Sequence, residues 1–267
     1  MRPAARYPMV GEKLRFRFEK AGDLRLLSHH DLMRCAERML RRARVPVRFS
    51  QGFHPAPRVV FALSLPLGVV GRNELVEIEL TEPLPAADVL ARLNEQAPRG
   101  LTFTAARAVD MKACAMPRRV VYRMPLPAGR AAAAGAAAAA AALLAADKVW
   151  ADRLKPRPRR VNVRPFLRRL AAGDDLVLDL WVTPSGTARA DELLRLLGVA
   201  DAHAAGAVLE RAELEVHDEV PPGQPDGPPT GPPDTAPLEH VPAPAAGDED
   251  SAVTATWGGS PQGPVVE

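Results

Sequence analysis

Residues 75–93, LVEIELTEPLPAADVLARL, recur as LVLDLWVTPSGTARADELLRLL at 176–197. Leu75 aligns with Leu176 and Pro83 with Pro184; after a two-residue insertion, Asp88, Leu90 and Arg92 align with Asp191, Leu193 and Arg195. Each copy reads as an apolar strand, a proline turn and an amphipathic helix. A unit of this kind used twice restricts the fold to one built from two equivalent halves. The alternative is that short amphipathic elements resemble one another by chance. At 267 residues and 47% hydrophobic, the chain can bury a core as one large domain or two smaller ones.

The elements around each copy extend the pattern. Residues 13–19 alternate apolar and polar side chains, as a half-buried strand does. After a turn at Gly22 and Asp23, Ser28 is placed to cap a helix, with Asp31 in its first turn. Leu32, Ala36, Met39, Leu40 and Ala43 form the apolar stripe of this helix, expected to run to about Arg44, and Pro46 stops it. Val47 to Ser50 and Val59 to Leu65 read as extended segments around the loop GFHPAPR, and 75–80 as a further strand. Pro85 opens a second helix, and LTFTAARAV after Gly100 is a closing strand. The order is that of a ferredoxin-like βαββαβ unit. In the second half, 120–127 supplies a strand, the alanine-rich run after Arg130 a helix to Asp147, and Leu209 to Val216 the last strand. The fold class expected is α+β: two ferredoxin-like halves with antiparallel sheets, at 1–110 and 119–216, joined through 111–118.

Residues 217–267 differ in kind. They hold nine acids, no lysine or arginine, and twelve of the 28 prolines, without apolar periodicity. Such a segment buries too little surface to offset chain entropy and is expected to be a disordered tail. It is either a solvating extension or an acidic mimic that folds back on the basic body. The formal charge of +3 conceals a body of +12, because the tail carries nine uncompensated negative charges. No secretory or membrane-spanning segment is read, and Cys35 and Cys114 are distant in sequence, so the expectation is a cytoplasmic protein with free thiols.

Residues 28–58 carry groups suited to three chemistries. His29, His30, His54 and Cys35 contain metal-binding atoms, but no pair has the i, i+4 spacing of two ligands on one helix face, so no metal is assigned. Two cysteines cannot hold an iron–sulfur cluster, and no cofactor is assigned to this chain. His29 and His54 are the candidates for proton transfer, because histidine titrates near neutrality. The stronger pattern is basic. Residues 1–60 carry fourteen lysines and arginines against five acids, and residues 152–170 eight against one. Arg34, Arg38, Arg41, Arg42 and Arg58, with Arg157, Arg159 and Arg160, are therefore candidates for contact with a phosphate backbone across one groove. The competing reading is a solvated basic face. Aromatics are scarce at 4%, so phosphate and shape contacts would outweigh base stacking.

The string LSHHDLMRCAERMLRRARVPVRFSQGFHPAPRVVFALSLPLGV resembles a bacterial family of unknown function, of the domain of unknown function 2344 type. Its members occur beside, or fused after, B12-binding-type radical SAM proteins. Ser28, His29, Asp31, Arg34, Arg38, Arg41, Ser50, Gly52, Phe53, Pro55, Pro57 and Gly68 carry the resemblance. His30, His54 and Ala56 depart from it, replacing an apolar residue, an asparagine and a histidine. The resemblance implies partnership with a radical SAM enzyme. Taken with the basic surface, this gives a non-catalytic accessory that binds RNA or a ribonucleoprotein and presents it to that enzyme. The alternative is a metal-independent RNA-processing or RNA-modifying enzyme using His29 or His54. The strand end at 61–71 is the candidate docking face.

Overall fold

The computed structural model describes residues 11–51, 53–126, 130–155, 157–220, 227 and 229–238. The protein is mixed α+β. Its first strand, β1 (Glu12–Lys20), buries Leu14, Phe16 and Phe18 and turns Lys13, Arg15 and Arg17 to the opposite face, as the two-residue period of a strand requires. Over the apolar face lie α1 (His29–Arg42) and α2 (Ala86–Gln96), which contribute Leu32, Met39, Leu40, Val89 and Leu93 to one core.

Between these helices run β2 (Val59–Phe61) and β3 (Val70–Leu80), and β4 (Leu101–Val109) follows α2. β1 pairs antiparallel with both β3 and β4, and β2 lies antiparallel on β3. The next strand, β5 (Pro117–Pro125), leads to α3 (Arg130–Ala145). A hairpin of β6 (Trp150–Arg153) and β7 (Arg159–Asn162) is inserted before β8 (Leu167–Ala172) and β9 (Asp175–Trp181). Two short helices, α4 (Ala190–Leu196) and α5 (Ala200–Ala204), precede β10 (Glu210–Val216). A second core gathers Val120, Tyr122, Met124, Leu176, Leu178 and Leu180 from the sheet against Leu193 and Leu194 of α4.

One eight-stranded sheet runs through the molecule in the order β4-β1-β3-β10-β5-β9-β8, with β2 on β3. Among the described residues its one parallel contact is β3 with β10, through Glu210↔Val70 and Arg211↔Gly71. All other pairings in the sheet are antiparallel.

Several expectations need adjustment. The extended segment read at Val47 to Ser50 is not a strand: it makes isolated bridges, Val47↔Leu80 and Phe49↔Pro57. The segment read at Val59 to Leu65 is a strand only through Phe61, with one further bond from Ala62 N to Leu75 O at 3.0 Å; beyond it the Leu63 and Ser64 carbonyls accept hydrogen bonds from Arg211 at 3.1 Å each. Helix α1 ends at Arg42, and Arg44 takes φ 51, a left-handed conformation that terminates it before Pro46. The β6–β7 hairpin has no counterpart in the repeat and carries its own three-stranded sheet with β11 (Thr235–Ala236). Two pieces of the segment read as tail therefore have defined contacts. Residues His217–Glu219 form a 3-10 turn after β10, and Thr235 and Ala236 pair with Val161 and Arg160. No helix among the described residues is long and apolar enough to cross a membrane.

Candidate functional site

The residues singled out at 28–68 come together around the first helix. Ser28 Oγ accepts a hydrogen bond from the Asp31 backbone N–H at 3.2 Å and donates to Asp31 Oδ2 at 2.8 Å, closing the helix N-terminus. His29 stands half-buried with its ring 5.6 Å from Phe61, edge to face, and 6.3 Å from His30. Burial lowers its pKa from the ordinary value, and the neighbouring His30, Lys20 and Arg211 push it the same way, so its imidazole is neutral at pH 7.

On the solvent side of α1, Arg34, Arg38, Arg41 and Arg42 are exposed. Arg34 lies 3.8 Å from Asp31, and Arg42 Nη2 donates to the Gln96 carbonyl at 2.9 Å. Arg38 and Arg41 have no carboxylate partner among the described residues, nor does Arg58, which is also exposed. The loop between α1 and β2 is a tight hairpin. Ser50 N donates to Ala56 O at 2.8 Å, Ala56 N to Ser50 Oγ at 3.0 Å, and Arg58 N to Arg48 O at 2.7 Å. Its tip presents Phe53, fully solvent-exposed, beside exposed His54 and Pro55. Pro57 is half-buried, and Gly52 lies outside the described residues. Gly68, at φ +80, supplies a backbone conformation other residues adopt only with strain, and its N–H donates to Arg25 O at 2.8 Å.

The second basic cluster sits on another element. Arg157, Arg159 and Arg160 are exposed on the β6–β7 hairpin, in the separate three-stranded sheet. There Arg160 is 3.1 Å from Asp152, and its guanidinium lies 5.8 Å from the Trp150 ring centre. The first cluster is thus carried by α1 and its loop, and the second by the three-stranded sheet. Among the described residues, no three of histidine, cysteine, aspartate or glutamate gather as metal ligands, and Cys35 and Cys114 are free thiols.

Two charged centres escape a reading by sequence. Beneath the N-terminus of α1, Arg211 is fully buried and donates through Nε to Glu74 Oε1 at 2.7 Å, with a second bond from Nη2 to Glu74 Oε2. Burial opposes its charge, but Glu74 and Tyr122 hold its pKa above the ordinary arginine value. Buried Lys20 donates to the Leu27 carbonyl at 3.1 Å, one residue before the cap. This network lies where β10 meets β3 and carries the backbone of 63–64, so it braces the segment that bears the exposed loop. On the other face of the sheet, Arg15, Arg17 and Arg107 converge on Asp218 and Glu219. The alternating arginines of β1 signal that face in sequence, but their carboxylate partners, some two hundred positions away, leave no such signal.

Among solved structures, the crystal structure of an unknown protein from Galdieria sulphuraria is similar at 10% identity and a TM-score of 0.26, covering 77% of this chain and 98% of that one. No curated protein matches the chain. The profile of one family, described as uncharacterized protein conserved in bacteria, matches residues 13–195, more than half the length and including the whole of α1 and its loop. The chain belongs to this family, DUF2344.

Proposed function

We propose that the protein is a cytoplasmic, non-catalytic accessory that binds RNA or a ribonucleoprotein and presents it to a separate radical SAM enzyme. The observation that carries the reading is a contrast among arginines. Arg15, Arg72, Arg119, Arg153 and Arg211 are held by carboxylates. Arg38, Arg41 and Arg58 stand exposed with no such partner among the described residues, beside Arg34 and Arg42 and a loop tipped by Phe53 and His54. Unpaired guanidiniums attract a phosphate backbone, and a fully exposed aromatic at the loop tip offers a face for one unstacked base. Arg157, Arg159 and Arg160 are read as a separate patch for the same polyanion.

The architecture behind this proposal is two ferredoxin-like halves, at 1–110 and 119–216, joined through 111–118 and followed by the segment from 217. Strand order supports it: β4-β1-β3-β2 in one half and β10-β5-β9-β8 in the other are each the 4-1-3-2 order of that unit. The partnership with a radical SAM enzyme rests on the family resemblance. Exposed Leu67, tied through Gly68 to the turn carrying exposed Leu26, supports a docking face there.

The test is RNA binding by the full chain as salt is raised. Arg34→Glu/Arg38→Glu/Arg41→Glu should weaken single-stranded RNA binding at least about tenfold at low salt and flatten its salt dependence by roughly two, at about 0.7 per lost phosphate contact. Unchanged binding, or none in the unaltered protein at low salt, would remove the RNA reading. The half-buried, neutral His29 favours one second reading, an RNA-processing enzyme in which it takes up a proton. RNA cleaved by the unaltered protein and left intact by His29→Ala would establish that instead.

A further inference from the structure

The sheet face opposite α1 and α2 carries more positive charge than its strands can balance. Arg15, only 2% exposed, lies directly across from Glu77 on β3 and donates to Glu77 Oε1 through Nε at 2.9 Å and Nη2 at 2.7 Å. Arg107 lies across from Arg15 on β4, and Arg17 follows two positions along β1. Lys13 turns away and donates to the Ala113 carbonyl. Glu79, across from Lys13, lies 3.9 Å from Arg48, so Arg15, Arg17 and Arg107 against Glu77 leave two positive charges.

Those two charges are met from outside the sheet. Asp218 receives Arg15 Nη1 at 2.8 Å and Nη2 at 2.6 Å. Glu219 Oε1 receives Arg15 Nη1 at 3.1 Å and Arg107 Nη2 at 2.8 Å, while Arg17 Nη2 donates to Oε2. Burial disfavours the charged form of Glu219, but the hydrogen bond from Arg107, the charge of Arg17 and the bonds from Arg15 and Arg17 outweigh it and hold the carboxyl below its usual range. Beside Glu219 opens a cavity of about 270 Å³, lined by Arg15, Arg17, Ala105, Ala106, Arg107 and Glu219 itself. Ala105, across from Arg17, leaves the space unfilled, and the irregularity between Arg17 and Phe18 changes the register of β1 against β4 at this point.

We infer that this is a phosphate-binding site, and that Asp218 and Glu219 occupy it as an internal stand-in for the ligand. Two carboxylates supply two negative charges and four acceptor oxygens to a fan of guanidinium donors, which is close to what a free phosphate presents from one tetrahedral centre; a backbone diester brings one charge and two free oxygens to the same donors. The two residues follow β10 with only His217 between, so they are a tethered competitor, acting at an effective concentration in the roughly mM range. A phosphate entering from the cavity would take the three guanidiniums and release the turn, with Glu77 still balancing Arg15. The phosphate could belong to an RNA backbone or to a free phosphorylated compound. The inference does not rest on the RNA reading, whose arginines lie on the opposite side of the sheet.

The experiment compares the full chain with Asp218→Asn/Glu219→Gln, titrating each with inorganic phosphate and with a single-stranded RNA oligonucleotide. The double variant should bind inorganic phosphate at least about tenfold more tightly than the unaltered chain. Adding Arg17→Ala and Arg107→Ala should abolish the gain. A gain with both probes, or with phosphate alone, assigns a site open to free phosphorylated compounds; a gain with RNA alone assigns a backbone phosphate. No gain with either probe, or a gain that survives loss of Arg17 and Arg107, would overturn the site. Should the double variant fail to fold, Glu219→Gln alone keeps the Asp218 bridge to Arg15 and is read by the same titrations, absence of a gain again overturning the inference.

Discussion

Arg211 shows what a single buried charge requires. At 1% exposure it has lost its water, and it stays charged because Glu74, itself buried, meets it with two oxygens while the Leu63 and Ser64 carbonyls accept two more of its donors. Breaking such a pair by removing one partner leaves an uncompensated buried charge and costs about 3–5 kcal/mol. Glu74→Ala should therefore lower unfolding stability by about that amount in urea, whereas Glu74→Leu/Arg211→Met should recover most of it. A cost under about 1 kcal/mol for the single change would mean that the pair does not brace this seam. The same centre acts on His29, where burial first, then His30, Lys20 and Arg211, keep the imidazole neutral. Because its pKa in the folded chain lies below the unfolded value, this contribution is intact above that unfolded value and is lost as pH falls through it toward the folded one.

At the scale of elements, α1 owes its start to Ser28 and its finish to Arg44. The cap satisfies a backbone N–H that would otherwise be orphaned, and Asp31 places a carboxylate at the positive end of the helix dipole. Ser28→Ala should cost about 1 kcal/mol and raise hydrogen exchange in the first turn, leaving the Leu40 end protected. Exchange rising equally along the helix would show instead that the whole element is held by tertiary packing alone. The strand β2 is the converse case. Its sequence continues to favour extension past Phe61, yet pairing stops where the backbone carbonyls are claimed by Arg211 from the other half of the chain. Local propensity proposed a longer strand; a long-range hydrogen bond shortened it.

The molecule as a whole turns on β3 meeting β10, the short parallel contact that makes one sheet of two sets of strands. It leaves one surface lined by α1 and its loop, and nearby the exposed Leu67 on the segment that leads into β3. If that segment docks a radical SAM enzyme, co-expression should recover both chains together, and Leu67→Asp should release the partner without lowering the stability of this protein. Independent recovery of the unaltered chains would discard the docking face. Much of this organisation was legible in the chain. Alternation marked β1, the apolar stripe and Ser28 marked α1, and the recurrence at 75–93 and 176–197 marked β3 with α2 and β9 with α4, because each depends on neighbours a few residues apart. The exposed arginines of α1 were legible for the same reason, since the helical period separates them from the buried stripe. What the chain could not disclose were the pairings of distant charges. Arg211 with Glu74, and Arg15, Arg17 and Arg107 with Asp218 and Glu219, join residues more than a hundred positions apart. Composition places those two acids in a segment that either solvates the protein or folds back on its basic body; only the folded sheet brings together the guanidiniums that hold them.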